Sequence, residues 1–261
     1  MRSEGRSRLV LTALEGIPLI QQGNDLAEIL LRVLKQNNID LIDGDVLVIA
    51  QKVISKTEGR KIDLKTITPS KQAEDLAAET GKDPREVELI LQESTEILRR
   101  RPGLIIIEHH RGFVCANAGI DHSNVAAKTD RDQDFVLLLP ENPDKSAQEL
   151  RQKIEKAEDV QIGVVINDSH GRAWRNGTVG ISIGFSGVPG IVDLRGKPDL
   201  FDYQLRITQI AAVDELAGAA SLLMGQADEG LPVVHVRGFP YPLREGSFQE
   251  LPREGSQDLF R

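Results

Sequence analysis

The chain has 261 residues, of which 40% are hydrophobic, so it can build the core of one large domain or of two small ones. Its 40 acidic residues outnumber its 32 basic residues, and the resulting net charge of -8 excludes the basic footprint that a nucleic-acid partner requires. The single cysteine, Cys115, excludes an internal disulfide framework.

The sequence carries no signal for a membrane. No apolar run approaches the roughly 20 residues that a spanning helix needs. The basic N-terminus is followed by an apolar stretch that Thr12 and Glu15 interrupt too early for a signal peptide. We therefore expect a cytoplasmic protein with no membrane partner.

The first half of the chain alternates strand-like runs with helical periods. A helical period precedes "DVLVIA" (45–50), which predicts a buried strand. Two helices are predicted next, the first beginning at Ser70 and the second beginning at Asp83 and burying residues as far as Leu98. The charged, helical segment 66–102 therefore offers the best boundary between two subdomains.

The second half of the chain is richer in strands. "LIIIE" and "GFVCA", joined by "HHR", predict a hairpin, and "FVLLLP" predicts a short strand. The run 162–166 is apolar throughout and predicts a central strand, and 214–224 predicts an alanine-rich helix. The mixture indicates an α/β protein (α+β, mixed sheets) spanning 1–261, with a tail at 240–261 whose last residues we expect to be poorly ordered.

Four segments that adjoin apolar runs combine glycine with polar side chains, which is typical of ligand-binding loops. In "QKVISKTEGR", Lys52, Lys56 and Arg60 could bind phosphate oxygens, and the alternative is a surface turn with solvated lysines. In "NDSHGRAWRNG", Asp168 and Ser169 follow a predicted strand and suit Mg²⁺ or Mn²⁺, and the alternative is that Asp168 only closes a turn.

The other two segments, "MGQADEG" and "LEGIPLI", are weak signals when each is taken alone. Gly225 is an ordinary helix end, and the apolar residues after Gly16 would normally belong to the core. Aromatic residues make up only 4% of the chain, so a purine would have to sit between aliphatic side chains.

Several common catalytic or binding motifs are absent or weak. The sequence contains no P-loop and no Rossmann glycine fingerprint, so a nucleotide would need a less common type of phosphate-binding loop. His109 and His110 are adjacent and would point to opposite faces of a strand, which favours a solvated turn over a metal site. Cys115 is expected to be a buried structural thiol rather than a nucleophile.

Five motifs taken together resemble one family. They are "DGDVLVIAQKVISKTEGR", "FVCANAGIDHSNV", "GVVINDSHGRAWRNGTVGISIGFSGV", "VDELAGAASLLMGQADEG" and "VRG" at 236–238. Their order is that of the coenzyme F420-0:gamma-glutamyl ligases, and the resemblance covers nearly the whole chain.

The resemblance implies a GTP-dependent, amide-forming ligase. Such an enzyme adds L-glutamate to the lactyl carboxylate of the phosphorylated deazaflavin coenzyme F420-0 through an acyl phosphate, and then adds further glutamates through gamma linkages. It uses two divalent cations per protomer, Mg²⁺ or Mn²⁺, with K⁺ as a further cofactor. The resemblance also implies an intertwined homodimer of two-domain protomers.

Matched position by position, the resemblance also implies a set of site residues. Asp121 and Asp168 correspond to ligands of the first metal, and Ser169 and Gln226 to ligands of the second. Gln226 stands where glutamate is frequent, and a neutral amide binds a divalent ion less strongly. The GTP contacts map to Ile17, Pro18, Leu19, Ile20, Gln51, Lys52, Lys56, Asn124, Met224, Gly225, Gln226, Ala227, Asp228, Glu229, Gly230 and Leu231.

The general base is unknown, and His170 is a hypothesis that rests on its place beside Asp168 and Ser169. Other function classes use similar residues. A metal-dependent GTP phosphohydrolase needs paired aspartates and hydroxyls, a related ligase could use another acceptor, and a binding module could hold GTP without turnover.

Overall fold

A computed structural model describes residues 8–125 and 134–258 of the chain. The strands are β1 (Val10–Ala13), β2 (Val46–Ala50), β3 (Lys61–Asp63), β4 (Ser94–Arg101), β5 (Leu104–His109), β6 (Val114–Ala116), β7 (Phe135–Leu137), β8 (Gly163–Arg172), β9 (Arg175–Ser186), β10 (Val192–Asp193), β11 (Gln209–Ile210) and β12 (Val233–Arg237). The helices are α1 (Leu26–Gln36), α2 (Gln51–Thr57), α3 (Lys71–Thr80), α4 (Pro84–Gln92), α5 (Pro143–Glu158) and α6 (Ala212–Met224).

The largest sheet has five strands in the order β1-β12-β2-β8-β9. β2 and β8 are parallel, and the other neighbours are antiparallel. The expected mixed α/β architecture is therefore confirmed, and the apolar run 162–166 does enter a central strand.

Helices cover both faces of this sheet. Alternate residues of β2 point to opposite sides, so Leu47 and Ile49 pack with α1 and α5 while Val46 and Val48 pack with α6. Burial on both faces explains why β2 is apolar throughout rather than alternating.

A buried ion pair joins the start of β2 to β12. The Asp45 carboxylate is 1% exposed and lies 2.8 Å from His235 Nε2 and 2.7 Å from Arg237 Nη2. Burial alone would raise the pKa of Asp45, but the hydrogen bonds from His235 and Arg237 hold it at about 2.

Smaller sheets flank the large one. β4, β5 and β6 form a three-stranded sheet, which confirms the predicted hairpin of β5 and β6. β3 pairs with β7, which confirms a short strand in "FVLLLP", and Asp121 makes an isolated bridge to Leu137 of β7. β10 and β11 form a further pair.

The predicted helical segment 66–102 is wrong in its last part. α4 ends at Gln92, and Ser94–Arg101 is the strand β4, so Leu98 lies on a strand. Leucine and arginine favour helix, but β4 satisfies its backbone by pairing with β5, and that tertiary pairing outweighs local propensity. α6 also begins at Ala212, two residues before the predicted start.

The C-terminal tail is packed against the body as far as Leu251. Phe248 is 6% exposed and packs edge-on against Phe113, with ring centroids 5.5 Å apart. The Asp144 carboxylate accepts hydrogen bonds from the backbone N–H groups of Phe185 and Phe248. The disorder expected for the last residues concerns 259–261, which lie outside the described residues.

Across 8–125 and 134–258, no helix is both long and apolar enough to cross a membrane.

Candidate functional site

Four chain segments meet at one edge of the five-stranded sheet. The carboxyl ends of β1 and β2 lie there together with the amino end of the antiparallel β12, because Ala13 pairs with Val234 and Val233 pairs with Ile49. Ala50, the last residue of β2, pairs with Asn167 of β8. β8 continues beyond that point, so residues 168–172 project past the end of β2. Ligand sites of open α/β sheets lie at such strand ends.

A cavity of about 1080 Å³ opens at this edge. Its lining brings together residues that are more than 200 positions apart in the sequence. The residues singled out from the sequence that line it are Ile17, Pro18, Leu19, Ile20, Gln51, Lys52, Lys56, Asn124, Asp168, Ser169, Met224, Gly225, Gln226, Ala227, Asp228, Glu229, Gly230 and Leu231. Every predicted GTP contact thus borders one cavity.

Asp121 stands beside this lining and is held by two residues that belong to it. Its Oδ2 accepts a hydrogen bond of 2.7 Å from Gln51 Nε2, and its Oδ1 lies 3.3 Å from Lys52 Nζ. Burial raises the pKa of Asp121, Lys52 opposes that shift, and the charge of Asp168 adds to it. Asp121 and Asp168 are therefore close enough for their charges to interact.

The turn that carries Asp121 has an unusual backbone. Asn117, Ala118 and Gly119 all have positive φ angles, and a Cβ on Gly119 would lie 2.7 Å from the side chain of Leu139. Glycine is therefore required at 119 on grounds of both backbone conformation and space. The small residues before Asp121 allow a tight turn, and this turn places Asp121 where it pairs with Leu137 of β7.

Ser169 and Gln226 also meet. Ser169 Oγ donates a hydrogen bond of 2.9 Å to Gln226 Oε1, although the two residues lie on β8 and on the loop after α6. Asn124 Nδ2 donates to the carbonyl oxygen of Ala227 at 3.0 Å, which ties the Asp121 turn to the same loop. The site thus presents one bonded oxygen pair, Ser169 with Gln226, and two carboxylates, Asp121 and Asp168, whose charges interact.

His170 contacts Asp168 and is not part of the cavity lining. It is 8% exposed, and its Nε2 lies 2.8 Å from Asp168 Oδ2, in an orientation that does not satisfy hydrogen-bond geometry. Its ring packs on Phe113, with centroids 5.6 Å apart. This position suits a side chain that orients Asp168 better than one that reaches a substrate.

Cys115 is buried, as expected. Burial, and to a smaller degree the charge of Asp168, raises the pKa of its thiol to about 12. A thiol with that pKa is not a nucleophile near neutral pH.

Two of the segments that sequence reasoning described as loops are regular structure. "QKVISKT" is the helix α2, which begins directly at the end of β2, and "NDSHGR" completes β8. Polar residues extend β8 because they pair with β9 in a hairpin that leaves one side of the strand free at the cavity. Arg60, a candidate phosphate ligand, instead pairs with Glu93 at 2.8 Å and donates to the Leu139 carbonyl oxygen.

The expectation of a solvated turn for both adjacent histidines is wrong for His109. His109 is 1% exposed, and only His110 reaches solvent. Their ring nitrogens and the Glu93 carboxylate lie within 4.8 Å of one another. The backbone N–H of Arg111 donates to His109 Nδ1 at 3.2 Å, so a neutral His109 carries its proton on Nε2, 3.4 Å from Glu93. That arrangement indicates an ion-pair cluster rather than a metal site, since a ligating nitrogen must be free of its proton.

Sequence reasoning missed several residues of the cavity wall. The main ones are Gln21, Gln22, Lys61, Val125, Phe135 and Asn167. Lys61 and Phe135 gave no signal of their own, because strand pairing brings them together across more than 70 residues.

Comparison with known proteins gives a consistent result. The family model described as "F420-0:Gamma-glutamyl ligase" matches residues 16–238. A protein of Methanothermobacter thermautotrophicus named coenzyme F420:L-glutamate ligase is 45% identical over 96% of this chain and 98% of its own length. A protein of the same name from Methanocaldococcus jannaschii is 47% identical over 84% of this chain and 85% of its own length. Another, from Archaeoglobus fulgidus, is 40% identical over 97% of this chain and 97% of its own length.

Proposed function

The chain belongs to the F420-0:gamma-glutamyl ligase family, and from that premise we propose that it joins L-glutamate to coenzyme F420-0 in a GTP-dependent reaction. The observation that carries the proposal is that the predicted GTP contacts line one cavity together with Asp168, Ser169 and Gln226, while Asp121 is bonded to Gln51 and Lys52 of the same lining. The relatives' name supplies the two substrates, glutamate and F420. GTP, the metals and the acyl phosphate are our own inferences.

The donor atoms fit two hard divalent cations. Asp121 and Asp168 supply carboxylate oxygens whose charges already interact, and a shared cation would relieve that repulsion. Ser169 Oγ and Gln226 Oε1, 2.9 Å apart, supply a hydroxyl and an amide oxygen for a second ion. Oxygen ligands are those that Mg²⁺ and Mn²⁺ prefer. Bound there, the ions would neutralise charge on the phosphate oxygens of GTP. K⁺ stays a prediction without assigned residues.

The proposed reaction has two steps. The acceptor carboxylate takes the gamma-phosphoryl group of GTP to give an acyl phosphate and GDP, and the glutamate amine then displaces phosphate to form the amide. Lys52 and Lys56 line the cavity and would balance the negative charge of the triphosphate. Neither step requires a covalent enzyme intermediate, in keeping with the inert thiol of Cys115.

His170 would act in this scheme by positioning Asp168. It is buried against Asp168 and does not line the cavity, so it would fix the carboxylate rather than accept a proton from the amine. The general base remains unassigned.

The exposed apolar side chains support the homodimer as a further proposal. Leu200, Phe201 and Ile207 are each more than 85% exposed, and Trp174 and Leu222 are equally so. Leu200, Phe201 and Ile207 lie within eight residues of one another, and exposed apolar side chains that cluster in this way suit an interface between chains. The intertwined, two-domain arrangement and the cytoplasmic location stay predictions of the sequence.

The proposal is tested by incubating the protein with GTP, Mn²⁺, L-glutamate and F420-0 and measuring the product by mass spectrometry. We expect mass increments of glutamate that disappear in Asp121→Asn and persist in Asp75→Asn, a control at an exposed residue of α3 whose partner is a surface lysine. Their number reports how many glutamates are added.

Three other outcomes separate the rival functions. Release of phosphate from GTP without glutamate would indicate a phosphohydrolase. Metal-dependent GTP binding without turnover of F420-0 would point to another acceptor, or to a binding module if no acceptor supports turnover.

A further inference from the structure

One part of the cavity wall lies beyond the predicted GTP contacts. Lys61 begins β3 and Phe135 begins β7, so this part of the wall belongs to the two-stranded β3-β7 sheet rather than to the five-stranded sheet. Lys61 Nζ lies over the Phe135 ring, 4.1 Å from its centroid. A cation–π contact of this kind holds a flexible lysine in one place.

This part of the wall carries unbalanced positive charge. Lys56 and Lys61 both line this cavity, and burial together with the charges of Lys52 and Lys61 lowers the pKa of Lys56. Lys52 is paired with Asp121. Within 8–125 and 134–258, neither Lys56 nor Lys61 has an acidic partner within ion-pair distance. Two cations that face a cavity without a counter-charge favour an anionic ligand.

Strand register separates Lys61 from the metal-binding carboxylates. Leu137 pairs with Lys61 on one side and with Asp121 on the other, so Lys61 and Asp121 are two strand spacings apart, on the order of 10 Å. Lys61 also leans toward Phe135, two residues along β7 from Leu137, and so does not turn toward Asp121. Lys61 therefore lies across Leu137 from Asp121, on the far side of β7 from the proposed metal ligand.

The proposed reaction indicates which substrate would contact Lys61 and Phe135. In phosphoryl transfer the attacking and leaving oxygens are roughly in line, so the acceptor approaches the gamma-phosphate from the side opposite the nucleoside. The predicted GTP contacts line the cavity from the edge of the five-stranded sheet and its loops, whereas Lys61 and Phe135 line it from the β3-β7 sheet and belong to no predicted GTP contact. F420-0 carries both the reacting carboxylate and a phosphate, so it brings an anionic group besides the one that reacts.

We propose that Lys61, held over Phe135 beside Lys56, binds an anionic group of the acceptor substrate. The inference rests on the proposed ligase function and assigns a subsite within it. Lys61 is a binding residue for the acceptor and does not contact the triphosphate.

The test compares Lys61→Gln with wild type in two binding measurements and one kinetic measurement. The first binding measurement gives the Kd of F420-0 from its fluorescence, and the second gives the Kd of GTP in the presence of Mn²⁺. The kinetic measurement gives KM and kcat of glutamate addition. Loss of one charge-assisted contact weakens binding by about tenfold. We expect Lys61→Gln to raise both Kd and KM for F420-0 by about that factor while Kd for GTP stays within about twofold.

Two variants and a control sharpen the test. Lys61→Arg keeps the charge and is expected to recover most of the affinity, and Phe135→Leu removes the ring that positions the lysine and is expected to give an intermediate loss. Lys145→Gln removes an exposed lysine on α5 and is expected to change neither constant.

An equal loss of GTP affinity in Lys61→Gln would overturn the proposal, because it would assign Lys61 to the triphosphate. Unchanged affinity for F420-0 would overturn it as well, and so would a wild-type protein that does not bind F420-0. Wild-type binding of F420-0 that Lys61→Gln weakens, with no glutamate added by either protein, would support the subsite while refuting the proposed reaction.

Discussion

Replacing His170 with alanine tests whether this side chain positions Asp168 or transfers a proton. Its Nε2 lies 2.8 Å from the Asp168 carboxylate, and the imidazole is 8% exposed. Loss of a side chain that contacts a metal ligand from outside costs about 10–100-fold in metal affinity. We therefore expect His170→Ala to weaken Mn²⁺ binding by about 10- to 100-fold.

The assay separates metal affinity from turnover. Free Mn²⁺ measured by electron paramagnetic resonance gives the dissociation constant, and glutamate addition is then followed at saturating Mn²⁺. Because His170 lies outside the cavity lining, kcat at saturation is expected to stay within about threefold of wild type. His170→Gln places an amide nitrogen near the position of Nε2 and is expected to recover most of the affinity.

Two results would refute this reasoning. Unchanged Mn²⁺ affinity in His170→Ala would show that Asp168 does not depend on the imidazole. A fall in kcat that no Mn²⁺ concentration restores, with unchanged affinity, would make His170 a participant in proton transfer.

Three further predictions concern the fold and the assembly. Asp45→Asn should lower the free energy of unfolding at pH 7 by about 2 kcal/mol, because the pKa of Asp45 falls from 3.8 to about 2 on folding. This contribution is present above about pH 4 and is lost toward pH 2, so urea unfolding should show the two proteins converging in acid. Gly119→Ala should cost about 2–4 kcal/mol because φ is +67° and Leu139 must move, whereas Gly103→Ala, with φ +78° and open space, should cost only the backbone part, about 1–2 kcal/mol. Phe201→Glu should convert a dimer to monomers in sedimentation velocity, and a wild-type protein that sediments as a monomer would contradict the proposed interface.

Sequence reasoning reached much of the candidate site because its signals are local. An apolar run that ends in polar residues marks the carboxyl end of a strand, and strands that share a sheet bring such ends to one edge. This is why Asp168 and Ser169 could be singled out before their neighbours were known. The resemblance supplied Asp121 and the GTP contacts, which periodicity alone did not distinguish from ordinary turns.

What the sequence did not reveal depends on pairing between distant segments. β4 was assigned to a helix because its pairing with β5 is a tertiary property. Lys61 and Phe135 meet only because β3 pairs with β7, and His109 is buried only because Phe113 stacks on its ring at 4.6 Å. Local propensity carries no information on such contacts, so these features had to be read from the structure.

The long hairpin of β8 and β9 gives the proposed metal site an uneven local stability. Up to Asn167, β8 is hydrogen-bonded on both sides, but Asp168 and Ser169 lie where the five-stranded sheet narrows to a ribbon of two strands. Amide protons of the ribbon can therefore exchange through openings that leave the sheet intact, whereas those of residues 163–167 require a larger unfolding event. Asp168 and Ser169 lie between a rigid scaffold and a segment that opens more readily. Any molecule that bridges Asp168 to Asp121 therefore also slows local opening of the ribbon.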